Sequence, residues 1–299
     1  MHSLIEKLEG IRRRVVKPLG VQRMLEAYPG AMVTLHDRPP SINAESVSRW
    51  HELVAVGRPY KPGTLTGWKA TGDGGYEAFR LARDEYSRMV QCEITENWTC
   101  DVQAIHGFSS SKADLSAYID TDAMAEDRAG FLIHDVSPEG LAKCLAHREI
   151  RIIHSAGGGG DFFARFNWDG PLWLMNGGGS HHLAGAKYVA ARLRLPVPLN
   201  GMLRTYAFNL EAIDSLRLEF EIFAIRDEAR ITNAFSDAMR DARATWLWHK
   251  LPRPYTNARA ILLPRSEGNS MRVAHSLCEA GMLDLGTHWS ALALRSLGQ

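Results

Sequence analysis

The clearest hydrophobic pattern lies in the middle of the chain. Leu172 to Met175 is a short apolar run that predicts a strand. Beyond Asn176-Gly177-Gly178-Gly179-Ser180-His181-His182, apolar residues recur at Leu183, Ala186, Ala190 and Leu193, the period of a helix face. Pro196-Val197-Pro198 stops that helix. Upstream, Phe162 to Trp168 alternates and predicts a strand, and Asp169-Gly170 supplies hairpin-turn chemistry. Phe131 to Val136 and Ile150 to Ile153 read as two more strands. Between them Ser137-Pro138-Glu139 gives an N-cap, a proline at the first helical position and an acid in the first turn. Leu141, Cys144 and Leu145 form the apolar face of that helix, which ends near His147. Gly157 to Gly160 reads as a flexible loop.

The flanks are less sharply patterned. Asn43 to Val56 is expected to form one helix, and Tyr76 to Val90 another. Trp98 to Ile105 reads as a strand, and Ser109-Ser110-Ser111 as a cap for the element that follows. Turn-rich stretches surround these at Asp37-Arg38-Pro39-Pro40, at Gly57 to Gly63 and at Gly72 to Gly75. Toward the C-terminus the expectations are a strand over Leu216 to Ile225, a helical segment over Arg226 to His249 ended by Pro252 and Pro254, a strand over Ala260 to Leu263, and a helix over Met271 to Ala280. The fold class is α+β, a small mixed sheet with flanking helices. The expected division is 1–125, a mixed region without assigned chemistry; 126–225, the core; and 226–299, mostly helical.

Composition narrows the function classes. Of 299 residues, 45% are apolar and 23% charged, which excludes disorder, collagen and coiled coil as the main state. A net charge of +1 gives no general polyanion-binding surface. The basic residues are 27 Arg and 8 Lys, a skew toward the side chain that forks onto phosphate and carboxylate. The four cysteines, Cys92, Cys100, Cys144 and Cys278, are scattered without a C-x-x-C pair and read as reduced thiols in a cytoplasmic protein. No stretch approaches 18 apolar residues, and Arg12-Arg13-Arg14 is followed by no apolar run, so neither a membrane span nor a signal peptide is expected.

The strand, glycine run and helix start form an anion-binding design. Glycine lets the backbone turn sharply and approach a ligand. The first N–H groups of a helix lack internal acceptors, and the helix dipole favours negative charge there. The run matches neither the P-loop nor the dinucleotide fingerprint. No Gly-x-Ser-x-Gly elbow surrounds Ser180, which speaks against a hydrolase triad. At a helix N-terminus His181 and His182 are expected to be neutral, able to donate a hydrogen bond or act as a base. Zinc would need further ligands, for which His154 and Asp161 are nearest across the loop. Their spacing fits no zinc signature, so no metal site is assigned.

Over 131–200, about a quarter of the chain, the sequence resembles the ParB/sulfiredoxin superfamily. The matching pieces are Ser137-Pro138-Glu139-Gly140-Leu141-Ala142, the hairpin from Phe166 to Met175, Gly178-Gly179-Ser180-His181-His182 with the alanine-rich stretch behind it, and Leu195-Pro196-Val197-Pro198. Ser180 stands where sulfiredoxins carry Cys and ParB proteins Glu, His181 where they carry His or the first Arg, and His182 where they carry the final Arg. The resemblance implies a nucleotide-binding fold that performs phosphoryl transfer, nucleotide hydrolysis or DNA cleavage; the cofactor is left unassigned, a nucleotide with Mg²⁺ being one option. On that reading Gly177, Gly178, Gly179 and Ser180 cradle phosphate, Arg165 and Lys187 add charge, and Ser180, His181 and His182 are the catalytic candidates. The ligand is a nucleotide or a phosphorylated small molecule.

A second reading is a protein acting on DNA or RNA. Trp246, Trp248, His249, Arg253, Tyr255 and Arg259 interleave aromatics with base, and Arg226 to Arg259 holds 7 basic against 4 acidic residues. Stacking rings beside cations hold single-stranded nucleic acid. Packing of a helix face explains the same residues, as sheet packing explains Trp168 and Trp173. A third reading is a non-enzymatic regulatory protein that kept the fold and lost the charged motif, which His182 in the Arg position favours.

Overall fold

The structure is a computed structural model, and it describes residues 19–36, 38, 40–56 and 61–297. Residues 1–18, the turn positions Asp37 and Pro39, and 57–60 lie outside the described residues.

The helices are α1 (Leu19–Ala27), α2 (Thr121–Arg128), α3 (Pro138–Leu145), α4 (Ser180–Leu193), α5 (Leu210–Glu219), α6 (Ala229–Asp241), α7 (Gly268–Glu279) and α8 (Leu285–Leu297). The strands are β1 (Thr64–Ala70), β2 (Tyr76–Ala82), β3 (Val90–Asp101), β4 (Ile105–Phe108), β5 (Phe162–Phe166), β6 (Leu172–Met175), β7 (Pro198–Phe208), β8 (Phe220–Arg226), β9 (Trp246–Lys250) and β10 (Ala258–Pro264). They form two five-stranded sheets in a mixed α/β chain, in keeping with the α+β expectation.

The chain divides into two compact units that interleave in sequence. One contains the described residues up to Leu35, Glu52–Met89 and Asn209–Leu292; the other contains His36–His51, Val90–Phe208 and the residues from Ala293 on. This division differs from the three consecutive segments expected from the sequence.

The first unit holds the antiparallel sheet β2-β1-β9-β10-β8. Val21 and Met24 of α1, Phe235 and Met239 of α6, and Val273 and Leu277 of α7 pack with Phe223, Ile225, Trp246 and Ile261 from one face of that sheet.

The second unit holds the mixed sheet β3-β7-β5-β6-β4, in which β7 runs parallel to β5 and β4 parallel to β6. One face carries Phe163, Leu172, Leu174 and Leu203, which pack with Met124 of α2, Leu141 and Cys144 of α3, and Leu183, Ala186, Val189 and Ala190 of α4. Each fully buried Leu or Val of this set contributes about 1.5–3 kcal/mol. The other face carries Ala164, Phe166, Trp173 and Tyr206 against Ala44 and Val47.

Several expected elements are corrected. Phe131 to Val136 is not a strand: Gly130–Ile133 is one helical turn, closed by Leu132 and Ile133 N–H onto the Ala129 carbonyl. Ile150 to Ile153 is likewise helical, as Arg151–His154. Both apolar runs are shorter than two helical turns, too short to display a period. Asn43 to Val56 forms two 3₁₀ turns, Ala44–Ser46 and Trp50–Ala55, and not one helix. Tyr76 to Val90 is mostly β2, paired with β1 from Ala70–Tyr76 to Thr64–Ala82, followed by the single turn Asp84–Ser87. The strand expected over Trp98 to Ile105 starts earlier and stops at Asp101, whose carboxylate accepts the Gln103 N–H at 2.8 Å and ends it.

Leu216 to Ile225 straddles the end of α5 and the start of β8, and Arg226 to His249 straddles α6 and β9. Gly157 to Gly160 is a succession of tight turns, with Gly158 and Asp161 N–H bonding to the carbonyls of Ser155 and Gly158.

Among the described residues no helix is long and apolar enough to cross a membrane.

Candidate functional site

Strand β6 ends at Met175, and α4 begins at Ser180, as the switch of period predicts. The turn between them is pinned from several sides. The Asn176 amide group accepts the Ser109 and Ser110 N–H groups and donates to the carbonyls of Ser110 and Gly178 at 3.1 and 2.8 Å. The Gly177 N–H donates to Asp161 Oδ1 at 2.8 Å. Gly179 adopts φ +76°, and its carbonyl accepts the Leu183 N–H, the first backbone bond of the helix. A Cβ at Gly179 would lie 2.7 Å from the Ile150 nitrogen, so this residue must be glycine both for its backbone angle and for space.

A cleft of about 340 Å³ opens over this turn. Gly177 to Gly179, Ser180, His181 and His182 line one side of it. Ser110, Ser111 and Lys112, together with Phe131, His147 and Glu149, line the rest. The rings of His147 and His182 stack at 3.7 Å between centroids, 5° from parallel. Glu149 Oε2 lies 3.5 Å from His147 Nε2. His181 Nε2 is 3.4 Å from the Ser111 hydroxyl. Burial, then the charges of Arg128 and Lys112, hold His181 below the ordinary histidine range. Burial, then His147 and His181, does the same for His182. Both are therefore neutral near pH 7, as expected of imidazoles at a helix N-terminus, although burial and not the dipole is the leading cause.

The predicted site residues fare unequally. Ser180, His181, His182, Gly178 and Gly179 all face the cleft. Gly177 lines it too, but its N–H is engaged by Asp161 and is not available to a phosphate. Lys187 lies two turns along α4 and gives its ammonium to the Ile105 carbonyl. Arg165 sits mid-strand on β5, away from the lining. His154, weighed as a metal ligand, bonds the Leu145 carbonyl at 2.7 Å, and Asp161 serves the glycine turn. Among the described residues no group of three or more His, Cys, Asp or Glu is placed to hold a metal ion. Glu149 is the one carboxylate among the described lining residues of this cleft.

Sequence reasoning missed the opposite wall, His147, Glu149, Phe131 and Ser110 to Lys112. Only the HxE spacing of His147 and Glu149 hinted at paired groups.

The aromatic and basic stretch from Trp246 to Arg259 is largely committed elsewhere. Trp246 is buried in the sheet core, Arg253 pairs with Glu52 at 2.8 Å, and Arg259 pairs with Asp227. Trp168 and Trp173 are tied into their unit by indole N–H bonds to the Ser48 carbonyl and the Asp169 carboxylate.

Residues 95–297 match the model of a family of unknown function, DUF6685. The chain belongs to that family. No curated protein and no solved structure matches the chain. The DUF6685 match spans the whole cleft and the second half of the first unit, but not β1 or β2.

Proposed function

We propose that the cleft binds a phosphorylated small molecule, a nucleotide included, and transfers or hydrolyses its phosphoryl group. The observation that carries this reading is the meeting, in one cleft, of the open end of α4 with Lys112 and three histidines. Ser180, His181 and His182 begin the helix, and their N–H groups have no intrahelical acceptor. They converge where a phosphate oxygen would receive charge-assisted hydrogen bonds. A neutral His181 or His182 can take the proton of an attacking water or hydroxyl, and Ser180 and Ser111 can orient it. Positioning and charge compensation supply most of such catalysis. Glu149, 3.5 Å from His147, is the acidic group of this lining and sets a limit on how much negative charge the cleft accepts. The likeness of the loop to the ParB/sulfiredoxin superfamily agrees with this reading, and Ser180 in place of Cys directs it away from sulfiredoxin chemistry.

The test is a thermal-shift panel of inorganic phosphate, nucleoside mono-, di- and triphosphates, with and without Mg²⁺, on the wild type and on Lys112→Ala and His182→Gln. A rise of several degrees with one phosphorylated ligand, reduced in both variants, supports the proposal. Salt-sensitive binding of oligonucleotides alone would replace it with the nucleic-acid reading. No response to any of these leaves a regulatory protein whose loop is structural.

A further inference from the structure

The first unit holds a second cavity, of about 180 Å³, on the sheet face that α6 covers. Trp68 of β1 and Trp248 of β9 lie on adjacent strands, and both are half-buried. Phe235 of α6 closes the cavity from the other side. Arg259 of β10 stands at one end. Its guanidinium carbon is 4.4 Å from the centroid of the Trp248 ring, and its Nη2 bonds Asp227. Its Nε is sealed from solvent and has no acceptor. Asp227 also faces Lys250 at 3.7 Å, so one carboxylate is shared between two cations and this end keeps a positive excess. The hydroxyls of Thr232 and Ser236, also in the lining, donate to the carbonyls of Ala229 and Thr232.

Size and chemistry point the same way. A dry engineered cavity of about 150 Å³ suffices for benzene. A guanidinium that shares its one carboxylate with a second cation has its best further partner in a carboxylate. Flat aromatic walls suit a flat ring. We propose that this cavity is a binding site for a small aromatic carboxylic acid. The ring lies along Trp68 and Trp248 beneath Phe235, and the carboxylate lies toward the positive end of the cavity, where Arg259 stands. The site is independent of the cleft in the other unit and of the activity proposed there.

The test is an NMR titration of the full-length protein with benzoate, following the indole N–H signals assigned through Trp68→Phe and Trp248→Phe. Benzyl alcohol is the uncharged control. Saturable shifts of both indoles in the millimolar range are expected with benzoate. Arg259→Gln should weaken benzoate about tenfold and leave benzyl alcohol unchanged, and Ser236→Phe, which fills the cavity, should abolish both. Should Arg259→Gln fail to fold, the benzyl alcohol control and Ser236→Phe still decide. Benzyl alcohol binding as tightly as benzoate overturns the assignment of a carboxylate. Benzoate shifts that persist in Ser236→Phe, or no saturable shift at either indole, overturn the site itself.

Discussion

Two glycine runs lie on either side of the β5–β6 hairpin, and they do different work. Gly157 to Gly160 take positive φ in succession, yet a Cβ at Gly157 would meet nothing within 4 Å. Gly157 and Gly160 are glycine for their backbone angles alone, whereas a Cβ at Gly159 would also crowd the Ser155 side chain at 2.8 Å, a side chain and not backbone. In the second run, Gly179 combines φ +76° with backbone atoms of Glu149 and Ile150 within 2.8 Å of a would-be Cβ, and Arg151 presses on Gly177. A glycine run therefore says little until its surroundings are known. The first shapes a turn, whereas the second lets the segment from Glu149 to Arg151 close against the start of α4 and so builds one wall of the cleft.

The contrast can be broken most forcefully at Gly179. Gly179→Val adds a disfavoured backbone angle to a collision with neighbouring backbone, and should cost about 3 kcal/mol or more. Chemical denaturation would register this as a large fall in midpoint. Gly157→Ala, with the angle but no collision, should cost about 1–2 kcal/mol. Equal losses in the two variants would mean that crowding at Gly179 is not what distinguishes the runs.

Asp161 links the two runs, because it follows the first and accepts the N–H of Gly177 in the second. Asp161→Ala leaves that donor unsatisfied and should cost about 1–3 kcal/mol in the same melts. Asp161→Asn retains an acceptor oxygen and should cost less. Burial raises the Asp161 pKa above the ordinary carboxylate value, against the opposing pull of Gly177 and Arg151. A carboxyl raised on folding binds its proton more tightly in the native state. Its contribution to stability therefore falls as the pH climbs through the unfolded value toward the folded one. Comparing wild type with Asp161→Asn across that acid range should show the difference narrowing as the pH rises.

The smallest expected effect concerns the histidines beside the second run. His181 and His182 are depressed on folding, so the native state binds fewer protons than the unfolded chain just below pH 6.5. Stability should rise with pH through that region, and His182→Gln should flatten the slope. A slope unchanged in the variant would assign the effect to other groups.

The sequence made half of this region legible. Leu172 to Met175 and the helix from Ser180 to Leu193 stood out because an apolar run gives way, across glycines, to a sustained 3.6-residue period. The facing wall did not stand out. His147 reads only as the end of a helix, and Phe131 and Ile150 sit in runs too short to separate helix from strand. Nothing local signals that His147 stacks on His182, since that contact depends on α3 packing against α4 through Cys144 and Leu183. In the first unit the straddling runs at Leu216 to Ile225 and Arg226 to His249 hid two helix-to-strand junctions: apolar residues continue across the first, and the second is marked by no glycine or proline, only by Asp241 to Thr245.

The interleaving of the two units bears on how the chain can be made. Most of the second unit is a single stretch, Val90–Phe208, whose β5–β6 hairpin and α3–α4 packing join near neighbours in sequence. In the first unit, the β1–β2 hairpin is completed only when Thr66 meets Trp248 and Trp68 meets Trp246. During synthesis at about 5–20 residues per second, that hairpin waits through Val90–Phe208 and more before its partner strand is translated. Until then the edge of β1 that β9 covers has no strand to pair with.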